Sequence, residues 1–204
     1  MPDPSTRLHS TVIMVSEATG AVSAADSIGR TREGITMQID DNVRDAFNAQ
    51  TTREVQAAYN YLAMAGWFES GGYPGFARWM QLQSEEEWDH AKRMFQFVLD
   101  RGGVTALGEL SAPRASFGSV LEVFQAGLDQ ERAVSGHIKD LYGLAVDARD
   151  FASVPLLDWF ISEQIEEEAS FGQIVDDVQR AGDDAQAMLI LDRELGSRGG
   201  SAEA

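Results

Sequence analysis

The sequence predicts an all-α protein: a four-helix bundle with one long crossover between its second and third helices, plus a short fifth helix. Two observations carry this. Four long segments between Asp41 and Gly182 place apolar residues in alternating steps of three and four, the signature of a helix with one buried face. Short Gly/Pro stops join the first segment to the second and the third to the fourth, whereas residues 102–118 form a long break rich in Gly, Pro and Ser.

The first helix is expected over 41–70, stopped by Gly71-Gly72-Tyr73-Pro74-Gly75. The second is expected over 76–101, ending at Gly102-Gly103. A third opens at Ser119-Val120-Leu121-Glu122, which has capping-box spacing, and runs to about Asp147. The fourth starts near Ser153-Val154-Pro155, with proline suited to a first turn, and ends at Gly182. A fifth, Asp183 to Leu195, precedes a Gly/Ser tail. A helix of some 27 residues is about 40 Å long. The residues of 102–118, extended, reach about 55 Å. The break therefore spans the bundle, and helices two and three run parallel. Residues 1–36 lack Phe, Trp and Tyr and are read as a flexible extension, with Met37 a candidate internal start. The bundle with its fifth helix is placed at 37–196 and a flexible tail at 197–204.

Composition narrows the function classes. The 204 residues carry a formal net charge of -17, which repels nucleic acid and anionic membranes and attracts cations. There is no cysteine, so thiolate metal sites and disulfides are excluded, consistent with a reducing cytoplasm. Apolar runs are too short for a membrane span.

The core stripes locate the chemistry. They read Phe47, Thr51, Glu54, Ala58, Tyr61, Ala65, Phe68 on the first helix and Phe76, Met80, Gln83, Glu87, His90, Met94, Phe97 on the second. The third has Leu121, Phe124, Leu128, Glu131, Ser135, Ile138, Tyr142, and the fourth Leu157, Phe160, Gln164, Glu167, Phe171, Ile174, Val178. Each stripe is apolar at its ends and polar in its middle. Glu54, Glu87, Glu131 and Glu167 fall at helix midpoints, hence at one depth of the bundle. Buried anions gathered at one place repel strongly unless cations compensate them. Carboxylates with one imidazole suit Fe(II), Mn(II) or Zn(II), and Glu87 and His90, at i and i+3, share a helix face. Singly, Glu-x-x-His is a common solvated helix face; four coinciding midpoints are not. Glu86, Glu163 and Glu166 flank the stripe and form either a solvated acidic face or a third metal site or route. His9 and His137 are read as surface residues.

These segments resemble the bacterial non-haem ferritins over about residues 41–196. Arg53-Glu54-Val55-Gln56-Ala57-Ala58-Tyr59-Asn60-Tyr61 is similar to the family's first-helix motif, and Glu86-Glu87-Trp88-Asp89-His90 to its Glu-Glu-x-x-His. Asp129-Gln130-Glu131-Arg132 matches the third-helix segment. Trp159-Phe160-Ile161-Ser162-Glu163-Gln164-Ile165-Glu166-Glu167 matches the fourth-helix pattern. The resemblance implies a di-iron ferroxidase site. Glu54, Glu87 and His90 would take the first iron, Glu87 would bridge, and Glu131 and Glu167 would complete the second. Gln164 and Tyr61 would hydrogen-bond nearby, and Glu86, Glu163 and Glu166 would match a third site. Trp88 stands where bacterioferritins carry their haem-binding Met, which implies no haem, and Gln164-x-x-Glu167 replaces their second Glu-x-x-His. Acidic residues that line three-fold channels in animal ferritins match Val154 and Leu157 here. The implied function is oxidation of Fe(II) by O2 or H2O2 and storage of the ferric mineral in a cytoplasmic 24-subunit shell. The fifth helix would pack near the four-fold axes or cap its own bundle. The rival readings are a di-iron oxidase or oxygenase acting on an organic substrate, a DNA-protecting mini-ferritin and a metal-free bundle.

Overall fold

Asp40 fixes the start of the first helix: its Oδ1 accepts hydrogen bonds from the backbone N–H of Asn42 (2.9 Å) and Val43 (3.4 Å). In the computed structural model, which describes residues 37–197, five helices follow, and no strand occurs among the described residues. They are α1 (Asp41–Ser70), α2 (Pro74–Asp100), α3 (Val120–Asp147), α4 (Val154–Ala181) and α5 (Ala185–Ser197). The expected extension 1–36 with His9, and the tail from residue 198, lie outside the described residues.

The punctuation works largely as the sequence suggests. Gly72, Gly102 and Gly182 follow α1, α2 and α4 with positive φ, which glycine adopts without strain. Helix α2 starts two residues earlier than expected, because Pro74 occupies its first position, where a missing N–H costs nothing. Ser119 Oγ accepts from Glu122 N (3.1 Å), but Glu122 reaches back to Gly118 N (2.5 Å), one residue beyond the usual partner. Helix α5 runs two residues later than expected at both ends, since the Asp184 carboxylate accepts from Gln186 N and Ala187 N and so becomes its cap.

The crossover can be followed by its anchors on α1. Val104 O accepts from Asn48 Nδ2, Gly108 N donates to Thr52 Oγ1, and Ser111 exchanges two bonds with Gln56. Phe117 then meets Trp67 edge-on. The segment thus travels the length of α1, from the end where Ile39 N bonds Arg101 O to the end where α2 begins. Helices α2 and α3 are therefore parallel, as predicted. At the end where the crossover starts, the Arg101 guanidinium ties three pieces of chain together. It pairs with Asp150 (2.6 Å), donates to Ser153 Oγ and reaches the carbonyls of Met37 and Gln38.

Two apolar clusters plug the bundle. One, around Phe68, Phe76, Phe124 and Phe171, includes Met188 and Leu195 of α5. The other gathers Val43, Phe47, Met94, Ile138, Leu157 and Phe160. The polar midsection lies between them. Every expected core residue of α1 and α4 is buried. On α2 and α3 the stripe slips at its ends: Phe97 and Leu121 are half-buried, while Val98 and Val120 face inward. A straight helix repeats every 3.6 residues, so a 3.5-residue stripe drifts by about 20° per heptad, or about 60° over the three heptads of each stripe. Tyr142 is half-buried beside fully covered Leu141, because its hydroxyl donates to Asp158 at the surface. Leu157 is wholly buried, so it lines no surface channel. His137 also departs from the surface reading. It is half-buried, and its Nδ1 is enclosed without a hydrogen-bond partner.

Candidate metal centre

Each of the helices α1 to α4 delivers one carboxylate to the midsection. Glu54, Glu87, Glu131 and Glu167 are buried at 1%, 3%, 0% and 8% exposure, and His90 at 4%. Charges this deep cost several kcal/mol apiece unless protonated or compensated. Ligand atoms of Glu54, Glu87 and His90 lie within 4.8 Å of one another, a separation one metal ion can bridge. His90 Nδ1 stands 3.4 Å from Glu87 Oε2. The Oε2 atoms of Glu54 and Glu87 are buried with no hydrogen-bond partner.

Glu131 and Glu167 stand outside that group, each held by donors. Tyr61 donates to Glu131, and Gln164 Nε2 reaches both Glu131 Oε2 (3.1 Å) and its carbonyl (3.3 Å). Gln83 Nε2 donates to Glu167 (3.0 Å) across the gap between α2 and α4. That gap is wide: no Cα of α2 comes within 8 Å of one in α4. On its flank, Glu86, His90 and Glu163 form a second group of candidate ligands at the same 4.8 Å spacing. Glu86 is exposed and Glu163 half-buried; Glu166 is exposed and stands outside the group.

The electrostatics follow from burial and crowding. Burial pushes Glu54 up to about 7, against the pull of the Gln50 amide and Glu87. Glu87 rises well above the carboxylate range, through burial first and then the charges of Glu54 and Glu131. Burial, followed by the charge of Glu86, pushes Glu167 up to about 8, and burial also raises Glu131. Tyr61 is raised far above its ordinary value by burial and by Glu131, so its phenol keeps its proton and donates. His90 is lowered to about 4 by burial and then by Arg93, which leaves a neutral imidazole, the form that ligates metal. Its ring is held by Trp159 and Phe160, with Arg93 stacked 3.7 Å above the Trp159 ring.

Two residues that contact the ligands were missed as site residues. Gln50 lies on the flank of the α1 stripe rather than on it. Gln83 lies on the α2 stripe, but only its partner across the gap reveals a role. Gln50 and Gln83 each stand one turn before a stripe glutamate, Glu54 and Glu87, and that spacing was the available signal.

A pH dependence follows. Glu54 and Glu167 bind protons in the folded, metal-free state up to about 7 and 8 and release them near 4.5 when unfolded. Their contribution is intact below about 4.5 and is lost as pH climbs to about 8. Glu54 alone accounts for on the order of 3 kcal/mol. The metal-free protein is therefore expected to melt lower at pH 8 than at pH 5, and Zn(II) binding at pH 6.5 to release protons. Calorimetry in buffers of different ionisation enthalpy reads both. A flat melting profile with no proton release would contradict the burial argument.

Fold and site together define a four-helix-bundle metalloprotein with a carboxylate-rich centre. Residues 44–181 match the family described as ferritin-like domain. The bacterial non-heme ferritin of Staphylococcus saprophyticus is 38% identical over 154 residues, 76% of this chain and 92% of that one. The one from Staphylococcus aureus (strain MRSA252) is 36% identical over 157 residues, 77% and 95%. Among solved structures, an open pore ferritin from the hyperthermophilic archaeon Archaeoglobus fulgidus superposes with a TM-score of 0.77 at 39% identity, covering 79% of this chain and 99% of that one. A humanized archaeal ferritin gives 0.79 at 38% identity, covering 81% and 100%. The chain belongs to the ferritin family.

Proposed function

We propose that this chain is an iron-storage ferritin subunit, with a ferroxidase centre built inside each subunit from Glu54, Glu87, His90, Glu131 and Glu167. One observation carries the reading: four buried carboxylates and a neutral imidazole meet between two apolar plugs, with two carboxylate oxygens lacking any donor. Iron is the substrate. Glu54, Glu87 and His90 take one Fe(II). Glu87 faces the second, which Glu131 and Glu167 complete by turning from their present donors. Holding two Fe(II) side by side lets both electrons reach one oxidant, O2 or H2O2, together. Tyr61 and Gln164 orient Glu131. The acidic gap of Glu86, Glu163 and Glu166 serves as a third site or as the route between centre and store.

Storage needs a closed shell, and the surface offers contacts for one. Tyr59 and Leu62 of α1 are exposed, as are Leu107 and Leu110 of the crossover that lies along it. Helix α5 divides its apolar residues. Met188 and Leu195 enter its own bundle, whereas Leu189 and Ile190 face outward, available to neighbouring copies. No helix among the described residues is long and apolar enough to cross a membrane. We place the protein in the cytoplasm, with the bundle at 37–196 as its working domain.

Gel filtration is expected to give roughly half a megadalton, about 24 copies of the 22.3 kDa chain. Anaerobic Fe(II) titration should then break near two irons per subunit, and His90→Ala should remove that break. A small assembly that turns over an organic substrate without accumulating iron would overturn the storage reading.

A further inference from the structure

We propose that Gln50 is a positioning residue of the metal centre: its amide holds one oxygen of Glu54 so that only the other is offered to metal. The inference rests on the reading of Glu54 as a ligand. Gln50 sits one turn before Glu54 on α1 and is wholly buried. Its Nε2 donates to Glu54 Oε1 at 2.9 Å. A glutamine amide could turn over and present its oxygen instead. Arg53 prevents this, because its Nη1 donates to Gln50 Oε1 at 3.1 Å, and a guanidinium only donates. The amide's polarity is thereby fixed from the exposed side of α1, where Arg53 lies, through to the buried carboxylate.

The consequence falls on Glu54 Oε2, which is buried, has no donor and belongs to the carboxyl grouped with Glu87 and His90. With Oε1 occupied, Glu54 binds through a single oxygen. One-oxygen binding leaves a coordination position that two-oxygen chelation would fill, and a metal that must meet an oxidant needs such a position. All three side chains lie on one rigid helix at spacings of three and four residues, so the arrangement exists before metal arrives.

The test uses the metal-free full chain and Co(II), which does not react with oxygen here and whose visible absorption weakens as coordination number rises. Wild type, Gln50→Met, Arg53→Met and Glu54→Ala are titrated side by side, and each is melted without metal. Methionine matches glutamine in length and helix preference. Gln50→Met is expected to bind Co(II) about tenfold more weakly, with a dimmer visible spectrum, and to stay folded, melting lower only by the one buried hydrogen bond it loses. Arg53→Met should shift the spectrum in the same direction by less. If Gln50→Met matches wild type in spectrum and affinity while Glu54→Ala loses a bound ion, the role of Gln50 is refuted and the metal centre stands. If Glu54→Ala binds Co(II) as wild type does, the ligand reading itself fails. Should Gln50→Met not fold, exposed Arg53→Met decides alone, and an unchanged spectrum there overturns the proposal.

Discussion

Glu87→Gln is expected to slow rapid Fe(II) oxidation by about a hundredfold or more while raising the melting temperature of the metal-free protein. The two effects share a cause. Glu87 is buried at the meeting point of Glu54, Glu131 and Glu167, and its carboxyl is raised well above the ordinary range, by burial first and then by the charges of its neighbours. Its Oε2 has no partner. An amide of the same shape is neutral in the unfolded chain too, so folding at neutral pH no longer has to protonate this position, and its N–H2 can donate to the orphaned oxygen of Glu54. Relief of on the order of 1–3 kcal/mol is expected, or several degrees in melting temperature at about 2–4 °C per kcal/mol. The same amide cannot bridge two cations, so the chemistry is lost. Stopped-flow absorbance at two Fe(II) per subunit and calorimetry of the metal-free protein read the two halves. A variant that oxidises iron at the wild-type rate would remove Glu87 from the centre. One that melts lower would show that the carboxyl contributes structure as well as ligation.

The burial of Glu54, Glu87, His90, Glu131 and Glu167 was legible in the sequence because each breaks an otherwise apolar stripe near its midpoint. A helix of known period converts that position into a depth and a direction, and four helices of similar length bring equal depths together. The long crossover was legible for a related reason: chain length alone decides whether a segment can span the bundle. What the sequence concealed depends on partners far apart in the chain. Arg101 looks like one more charge near a helix end, yet it is buried against Asp150 and the start of α1. Gln83 looks like a polar member of a stripe until Glu167 appears across the gap. The neighbours of the expected third-site residues were concealed for the same reason. His90 groups with Glu86 and Glu163 while Glu166 stands outside, and no single-helix pattern carries a grouping across helices. Helix α5 was visible as an element, but the choice between covering its own bundle and meeting neighbours was not, because both uses need the same apolar residues.

Gly75 shows how much can rest on a residue that reads as loop punctuation, and Gly75→Ala is expected to unseat α5. A Cβ at this position would lie 1.7 Å from the carbonyl oxygen of Asp192 and 2.5 Å from its carbonyl carbon. Both are backbone atoms of α5, so no side chain can swing aside. A Cβ on Gly196 would in turn lie 2.7 Å from the Gly75 Cα. The close approach allows the buried Asp192 carboxylate to accept from Phe76 N at 2.8 Å, satisfying one of the unpaired amides at the α2 N-terminus with a charge that the helix dipole favours. Lifting α5 breaks that bond and uncovers Met188 and Leu195, for a combined loss of about 3 kcal/mol or more. The centre at Glu54 and Glu87 lies beyond the Phe68–Phe124 plug, so the first two irons per subunit should still oxidise. Assembly should suffer instead, since Leu189 and Ile190 lose their fixed placement. Gel filtration is expected to show species smaller than the wild-type shell, with oxidised iron precipitating rather than remaining soluble. Asp192→Asn, which keeps an acceptor and loses the charge, should be milder. If Gly75→Ala elutes and melts with wild type, the tight seat of α5 is not what the assembly depends on.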